Sequence, residues 1–176
     1  MTSSTQEPVV ELTRYIRDIP DFPKPGIIFK DITPLLKDGP AFRHAVNLLA
    51  ERARGKGVTR IVGIESRGFI FAAAVAYSLG AGVVPVRKKG KLPHTCISES
   101  YELEYGIDCV EMHEDALAPG ERVMVVDDVI ATGGTLAAAC RLVRQLGAEV
   151  AEAATVIELT FLPGREKLGD VPFSSL

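Results

Sequence analysis

The sequence predicts an α/β fold: a parallel-rich twisted sheet flanked by helices, with a small N-terminal hood. Three observations carry that expectation. Apolar runs with β-branched residues at 60–64, 83–86 and 123–126 have the composition of strands covered on both faces. Segments of helical periodicity at 68–79 and 136–146 lie between or after them, which is βαβ logic. The chain has 176 residues, 47% of them hydrophobic, and shows neither an internal repeat nor a low-complexity linker. That length suits a single domain over 1–176, with a hood of about residues 1–35 and a core of about 36–176.

The elements follow in order. A short amphipathic helix is expected around residues 9–17, then a Pro/Gly-rich segment at 20–26 and a semi-extended stretch to Ile32. Pro40 suits the first turn of a helix that carries Phe42, Ala45, Val46, Leu49 and Ala53 on one face and ends at Gly55 or Gly57. The strand at 60–64, the helix at 68–79 and the strand at 83–86 come next. A polar, poorly patterned stretch at 87–105 precedes a strand at 107–113. After the strand at 123–126, Leu136, Ala139, Cys140, Val143 and Leu146 recur at helical spacing, and Gly147 stops that helix. A strand at 153–159 completes the sheet.

Residues 123–135 hold the chemistry. Asp127 and Asp128 follow the strand, at the carboxyl edge where open α/β sheets bind ligands. Ala131, Thr132, Gly133, Gly134 and Thr135 then open a helix. Their small side chains leave backbone N–H groups uncovered, and the glycines reach the φ > 0 angles that aim successive N–H groups at one anion, with the helix dipole behind them. The turn is neither a Walker loop nor Gly-x-Gly-x-x-Gly. Two carboxylates ahead of a phosphate cradle would repel a triphosphate, yet they accept hydrogen bonds from the vicinal hydroxyls of a ribose. The pattern therefore points to a ribose 5-phosphate. Glu65, Ser66, Arg67 and Gly68 form a second strand-to-helix turn on the same edge, suited to another anion. Arg87, Lys88, Lys89 and Lys91 form a dense cationic cluster after the next strand.

Val-Val-Asp-Asp-Val-Ile-Ala-Thr-Gly-Gly-Thr resembles the phosphoribosyl pyrophosphate signature of the type I phosphoribosyltransferases. The segments at 22–32, 65–69, 86–93, 101–106 and 158–168 resemble the adenine phosphoribosyltransferase branch of that family. The match covers nearly the whole chain after about Leu12. The resemblance implies the type I phosphoribosyltransferase fold and the conversion of adenine and phosphoribosyl pyrophosphate to AMP and pyrophosphate, in purine salvage. It implies that Asp127 and Asp128 hold the ribose and residues 131–135 the 5′-phosphate. Pyrophosphate falls to Glu65, Ser66, Arg67 and Gly68, and to Arg87, Lys88 and Lys91 reaching a neighbouring subunit's site. Ile28, Phe29 and Val129 line the adenine pocket, and the main chain at Lys30 reads the base edge. In hypoxanthine-type relatives an Asp stands where this chain has Ala131, so the acid/base role passes to Glu104, with Tyr105 covering the site. Mg²⁺ is expected to be held by substrate and water, without direct protein ligands, and the enzyme to be a homodimer. A transferase for another purine such as xanthine, and a non-enzymatic phosphoribosyl pyrophosphate sensor, remain the alternatives.

A net charge of −3 gives no support to nucleic-acid binding. Cys96, Cys109 and Cys140 are odd in number, scattered and without CxxC spacing, so free thiols are expected in place of a disulfide framework or zinc site. No apolar run approaches membrane-spanning length and the N-terminus lacks an apolar leader core, so a cytoplasmic location without membrane contact is expected. His44 and His113 read as surface residues, whereas His94 in the polar loop is undecided.

Overall fold

A computed structural model describes residues 10–103 and 106–176. The chain divides into two compact units, Met1–Ala45 and Val46–Leu176, and the division falls within a helix. In the first unit a single 3-10 turn, Leu12–Tyr15, leads into an antiparallel hairpin of β1 (Arg17–Pro20) and β2 (Ile28–Asp31). The amphipathic helix expected at 9–17 is therefore one turn followed by a strand. Tertiary pairing overrides the local pattern: Arg17 stands opposite Asp31 and Asp18 opposite Lys30. Both pairs make ion pairs at 2.6 Å. Such opposed charges favour the register of a hairpin. A short helix α1 (Thr33–Lys37) follows, with Pro34 in its first turn. Next comes α2 (Gly39–Ala53), whose Ala45, Val46, Leu49 and Ala53 are buried as expected.

The second unit is built on a seven-stranded sheet in the order β5-β6-β4-β3-β7-β8-β9. β3 (Arg60–Ile64), β4 (Gly82–Lys88), β7 (Arg122–Ile130), β8 (Glu149–Glu158) and β9 (Phe173–Ser175) run parallel. β6 (Ile107–His113) is antiparallel to β4, and β5 (Cys96–Glu102) pairs with it as an antiparallel edge. Leu103 N–H donates to Gly106 O at 2.9 Å at the β5–β6 turn. β5 lies in the stretch that the sequence presented as unpatterned, and β8 begins four residues earlier than expected.

Successive residues of a strand face opposite sides of the sheet, and the core follows that alternation. Val62, Ile64, Val123 and Val125 join one buried cluster with Leu136, Ala139, Cys140 and Val143 of α4 (Gly134–Gln145). Phe71, Ala72 and Val75 of α3 (Gly68–Leu79) are buried as well, and this helix packs on β3, β4 and β7. A Cβ on Gly63 would stand 2.6 Å from Ala72 Cβ, so the bare glycine lets α3 lie close on the sheet. The chain after β3 crosses to β4 on one side, and the chain after β7 crosses to β8 on the other. The β3–β7 boundary is thus a topological switch point, where open sheets form ligand crevices.

Candidate active site

Pairing between β3 and β7 stops at Gly63 opposite Val126, whereas β7 continues beside β8 as far as Ile130. β7 runs four residues past the expected end at Val126, so Asp127 and Asp128 lie within the strand but beyond the reach of β3. The crevice opens there. A cavity of about 420 Å³ is lined by Glu65, Ser66, Arg67, Lys88, Leu103 and the continuous segment from Asp127 to Leu136.

One wall is the start of α4. Ala137 N–H donates to Gly133 O at 2.9 Å, so the N–H groups of Gly134, Thr135 and Leu136 precede the first intrahelical bond. Gly133 has φ 78°, and a Cβ there would meet Gly164 O at 2.1 Å. A Cβ on Gly164 would meet Ala131 O at 2.2 Å, so two bare backbones brace the phosphate turn. Gly164 sits in the tail at the start of a 3-10 turn, Gly164–Leu168, far from the turn in sequence, and only the family resemblance of the tail pointed to it.

The opposite wall is the turn between β3 and α3. Arg67 Nε lies 2.8 Å from Asp128 Oδ2, and the Glu65–Ser66 peptide is cis. Gly68 is buried against β7, where a Cβ would stand 2.8 Å from Asp127 Oδ1. Asp128 N–H donates to Asp127 Oδ1 at 2.9 Å. Burial, and then the neighbouring Asp128 charge, push Asp127 well above its ordinary carboxylate range. Burial also raises Asp128, against the pull of the Arg67 guanidinium. Donated hydroxyl hydrogen bonds or a cation would favour the ionised forms.

The cationic cluster is folded onto this chain's own carboxylates. Glu65 accepts from Lys91 Nζ at 2.7 Å, from Lys88 N–H at 3.0 Å and from Arg87 at 3.4 Å. Burial opposes its ionisation, but these donors outweigh it and hold Glu65 at about 2. Lys88 Nζ reaches Tyr101 on β5 and Asp108 on β6; no role was expected for either residue, and β5 itself was not legible as a strand.

The structure thus brings Asp127, Asp128, residues 131–135, Glu65, Ser66, Arg67, Lys88 and Val129 to one cavity, with Gly68 behind it and Arg87 and Lys91 tied to Glu65. Ile28, Phe29 and Lys30 all lie on β2 in the first unit. Ile28 is exposed, Phe29 packs edge-on against Phe22, and Lys30 pairs with Asp18. Glu104 and Tyr105 lie outside the described residues. Cys96, Cys109 and Cys140 are free thiols. His94 is exposed and edge-on to His113, which is half-buried, as is His44. No group of three or more His, Cys, Asp and Glu among the described residues could hold a metal ion. A divalent ion would therefore fit here only if substrate and water supplied most of its ligands beside Asp127 and Asp128.

Residues 35–167 match the phosphoribosyl transferase domain model. The chain is 59% identical over 165 residues to the adenine phosphoribosyltransferase of Roseiflexus sp. (strain RS-1), covering 94% of this chain and 96% of that one. The chain belongs to the adenine phosphoribosyltransferase family. The crystal structure of adenine phosphoribosyltransferase from Thermoanaerobacter pseudethanolicus superposes with a TM-score of 0.92 at 52% identity, covering 94% of this chain and 96% of that one. The Saccharomyces cerevisiae adenine phosphoribosyltransferase, complexed with D-2,5-dideoxy-2,5-imino-altritol 1,6-bisphosphate and adenine, gives 0.88 at 43% identity, covering 94% and 96%. The mostly parallel sheet with flanking helices is accordingly the type I phosphoribosyltransferase fold. Among the described residues no helix is long and apolar enough to cross a membrane.

Proposed function

We propose that the cavity at the β3–β7 boundary is the phosphoribosyl site of this adenine phosphoribosyltransferase. The enzyme transfers the 5-phosphoribosyl group of phosphoribosyl pyrophosphate to adenine, giving AMP and pyrophosphate, a purine-salvage reaction. The observation that carries the site assignment is the convergence of two carboxylates and two strand-to-helix turns on one cavity.

In this reading Asp127 and Asp128 accept hydrogen bonds from the ribose 2′- and 3′-hydroxyls. The N–H groups of residues 131–135 hold the 5′-phosphate, helped by the α4 dipole. The turn formed by Glu65, Ser66, Arg67 and Gly68 receives the pyrophosphate. Arg87, Lys88 and Lys91 supply the positive charge that the leaving group demands as the bond from the anomeric carbon to oxygen breaks. Lys88 lines the cavity of its own chain, while Arg87 acts in the site of a second copy in a homodimer.

Adenine attacks the anomeric carbon through N9, and the proton that its imidazole ring sheds passes to the Glu104 carboxylate. Tyr105 covers the site when the loop closes. Ile28, Phe29 and Val129 pack on the purine, and the Lys30 main chain reads its Watson–Crick edge with one donor and one acceptor. Adenine presents a donor amine where hypoxanthine and guanine present a carbonyl, and each mismatch leaves a buried group unpaired at about 1–3 kcal/mol. A Mg²⁺ ion held by substrate and water, near Asp127 and Asp128 but without direct protein ligands, would neutralise charge on the leaving pyrophosphate. Such a salvage enzyme works in the cytoplasm, without nucleic-acid or membrane partners.

Steady-state turnover with a panel of bases tests the substrate assignment. Adenine should be converted with a kcat/KM at least about 30-fold above hypoxanthine, guanine or xanthine, as two mismatched groups imply. Comparable efficiency with any oxopurine would contradict the adenine pocket and leave the phosphoribosyl site standing.

A further inference from the structure

Lys88 enters the cavity wall from β4, yet its ammonium is gripped by the β5–β6 hairpin. Nζ donates to Tyr101 Oη at 2.6 Å and to Asp108 Oδ2, and it lies 5.3 Å from the centroid of the Tyr101 ring. Tyr101 and Asp108 stand directly opposite each other across the hairpin, and the Tyr101 hydroxyl donates to the same Asp108 oxygen at 2.9 Å. Asp108 Oδ1 is fixed by the Cys109 N–H at 2.7 Å. The Tyr101 side chain is buried, and a Cβ on Gly134 would meet its Cδ2 at 2.9 Å. The bare first residue of α4 therefore seats the ring that holds Lys88. The hairpin, the phosphate turn and the cation form one connected assembly.

An ammonium has three donors, and here two are committed. An arriving anion must either share Lys88 with Asp108 or take it away, and Asp108 repels that anion in both cases. We propose that Asp108, oriented by Tyr101, is a resident counter-ion of Lys88 that the pyrophosphate group displaces on binding and that reclaims Lys88 on release. Asp108 is thus a positioning residue that acts through Lys88 and sets how tightly pyrophosphate is held. The inference rests on the reading of Lys88 as a pyrophosphate ligand. Both members of the pair are driven towards their charged forms, although burial opposes this in each: Lys88 is raised by Asp108 and Tyr101, and Asp108 is lowered by Lys88, the Cys109 N–H and Tyr101. Glu65 in turn carries ion pairs to Arg87 and Lys91.

The test is calorimetric titration of magnesium pyrophosphate into the whole enzyme, wild type and Asp108→Asn, Tyr101→Phe, Lys88→Met and the Asp108→Asn/Lys88→Met double variant. Each melting temperature is checked first. Asp108→Asn keeps the shape and removes the charge, so pyrophosphate should bind roughly three- to tenfold more tightly, as removal of one negative charge at close range in partly solvated surroundings implies. A merely structural role would weaken binding. Lys88→Met should weaken binding roughly tenfold or more, and in that background Asp108→Asn should lose at least about half of its gain. Unchanged or weaker binding by a folded Asp108→Asn variant would overturn the inference. So would a gain that persists undiminished without Lys88, since it would be through-space repulsion alone. If Lys88→Met binds like wild type, the reading of Lys88 fails and the inference falls with it. Should Asp108→Asn not fold, Tyr101→Phe decides: tightening of about twofold supports the displacement, and unchanged affinity refutes it.

Discussion

Asp127→Asn should make the protein more stable and a much poorer enzyme, and the size of both effects follows from the geometry. Asp127 lies half-buried beside the buried Asp128, and burial together with the Asp128 charge raises its pKa well above the ordinary value. Two like unit charges at roughly 4–6 Å and an effective dielectric constant of about 20–40 repel by about 1–4 kcal/mol. Arg67, 2.8 Å from Asp128, offsets part of this, and so does the part of Asp127 that is open to the cavity. A net gain of about 1–2 kcal/mol remains for the neutral side chain, which retains an acceptor for the Asp128 N–H. In a chain of this length that is a rise of about 2–8 °C in melting temperature.

The sign of the pH dependence is fixed by the direction of the shift. Because the folded pKa lies above the unfolded one, wild type carries no penalty below about pH 4, where the carboxyl is protonated in both states. It becomes progressively less stable as pH rises through the folded pKa. The advantage of Asp127→Asn should therefore be absent near pH 4 and largest at pH 8, by scanning calorimetry without substrates. Loss of a charged acceptor for a ribose hydroxyl should lower kcat/KM for phosphoribosyl pyrophosphate by roughly 10- to 100-fold. A variant no more stable than wild type at pH 8, or one whose advantage is the same at pH 4, would refute the electrostatic reasoning.

Other perturbations probe other parts of the site. Glu104→Gln should cut turnover by roughly 10²–10⁴-fold with little change in substrate binding, and near-normal single-turnover chemistry would remove Glu104 as proton carrier. Gly133→Ala places a Cβ 2.1 Å from Gly164 O at φ 78°, so it should cost about 2–4 kcal/mol and abolish phosphate binding; urea denaturation and ribose 5-phosphate titration measure the two effects. Asp127→Ala and Arg87→Ala should each be inactive alone, whereas random mixing of equal amounts should restore about a quarter of all sites if Arg87 acts across a two-fold dimer. Tagged mixed dimers as inactive as their parents would place Arg87 within its own subunit's site.

The central strands and the two long helices behind them were legible because their burial is written locally. β3 and β7 are apolar runs, and α4 repeats its buried residues at helical spacing. The first hairpin and β5 were not legible, for the opposite reason, whereas β6 was expected at 107–113 and found there. β1 and β2 are held by Arg17–Asp31 and Asp18–Lys30 pairs that are distant in sequence, so a local window sees only a short amphipathic stretch. β5 is an edge strand on which Tyr101 is the one buried residue, so it shows no alternation strong enough to read. The cradle at 131–135 and its carboxylates were visible as a contiguous motif, whereas the Gly164 brace and the Tyr101–Asp108 grip on Lys88 exist only through tertiary contact. The continuation of β7 past Val126 was hidden because the pairing of its last residues with β8 is visible only in the folded sheet.

In the proposed reading the crevice between β3 and β7 holds the phosphoribosyl group. A crystal structure of the protein with AMP and magnesium pyrophosphate tests it most directly. The 5′-phosphate should lie on the N–H groups of residues 131–135, the ribose hydroxyls on Asp127 and Asp128, and pyrophosphate against the turn at 65–68. A second cleft, lined by Ser100, Arg141 and Lys167, offers the phosphate a rival seat beside α4. AMP bound there, with the Asp127–Asp128 crevice left to solvent, would contradict the account.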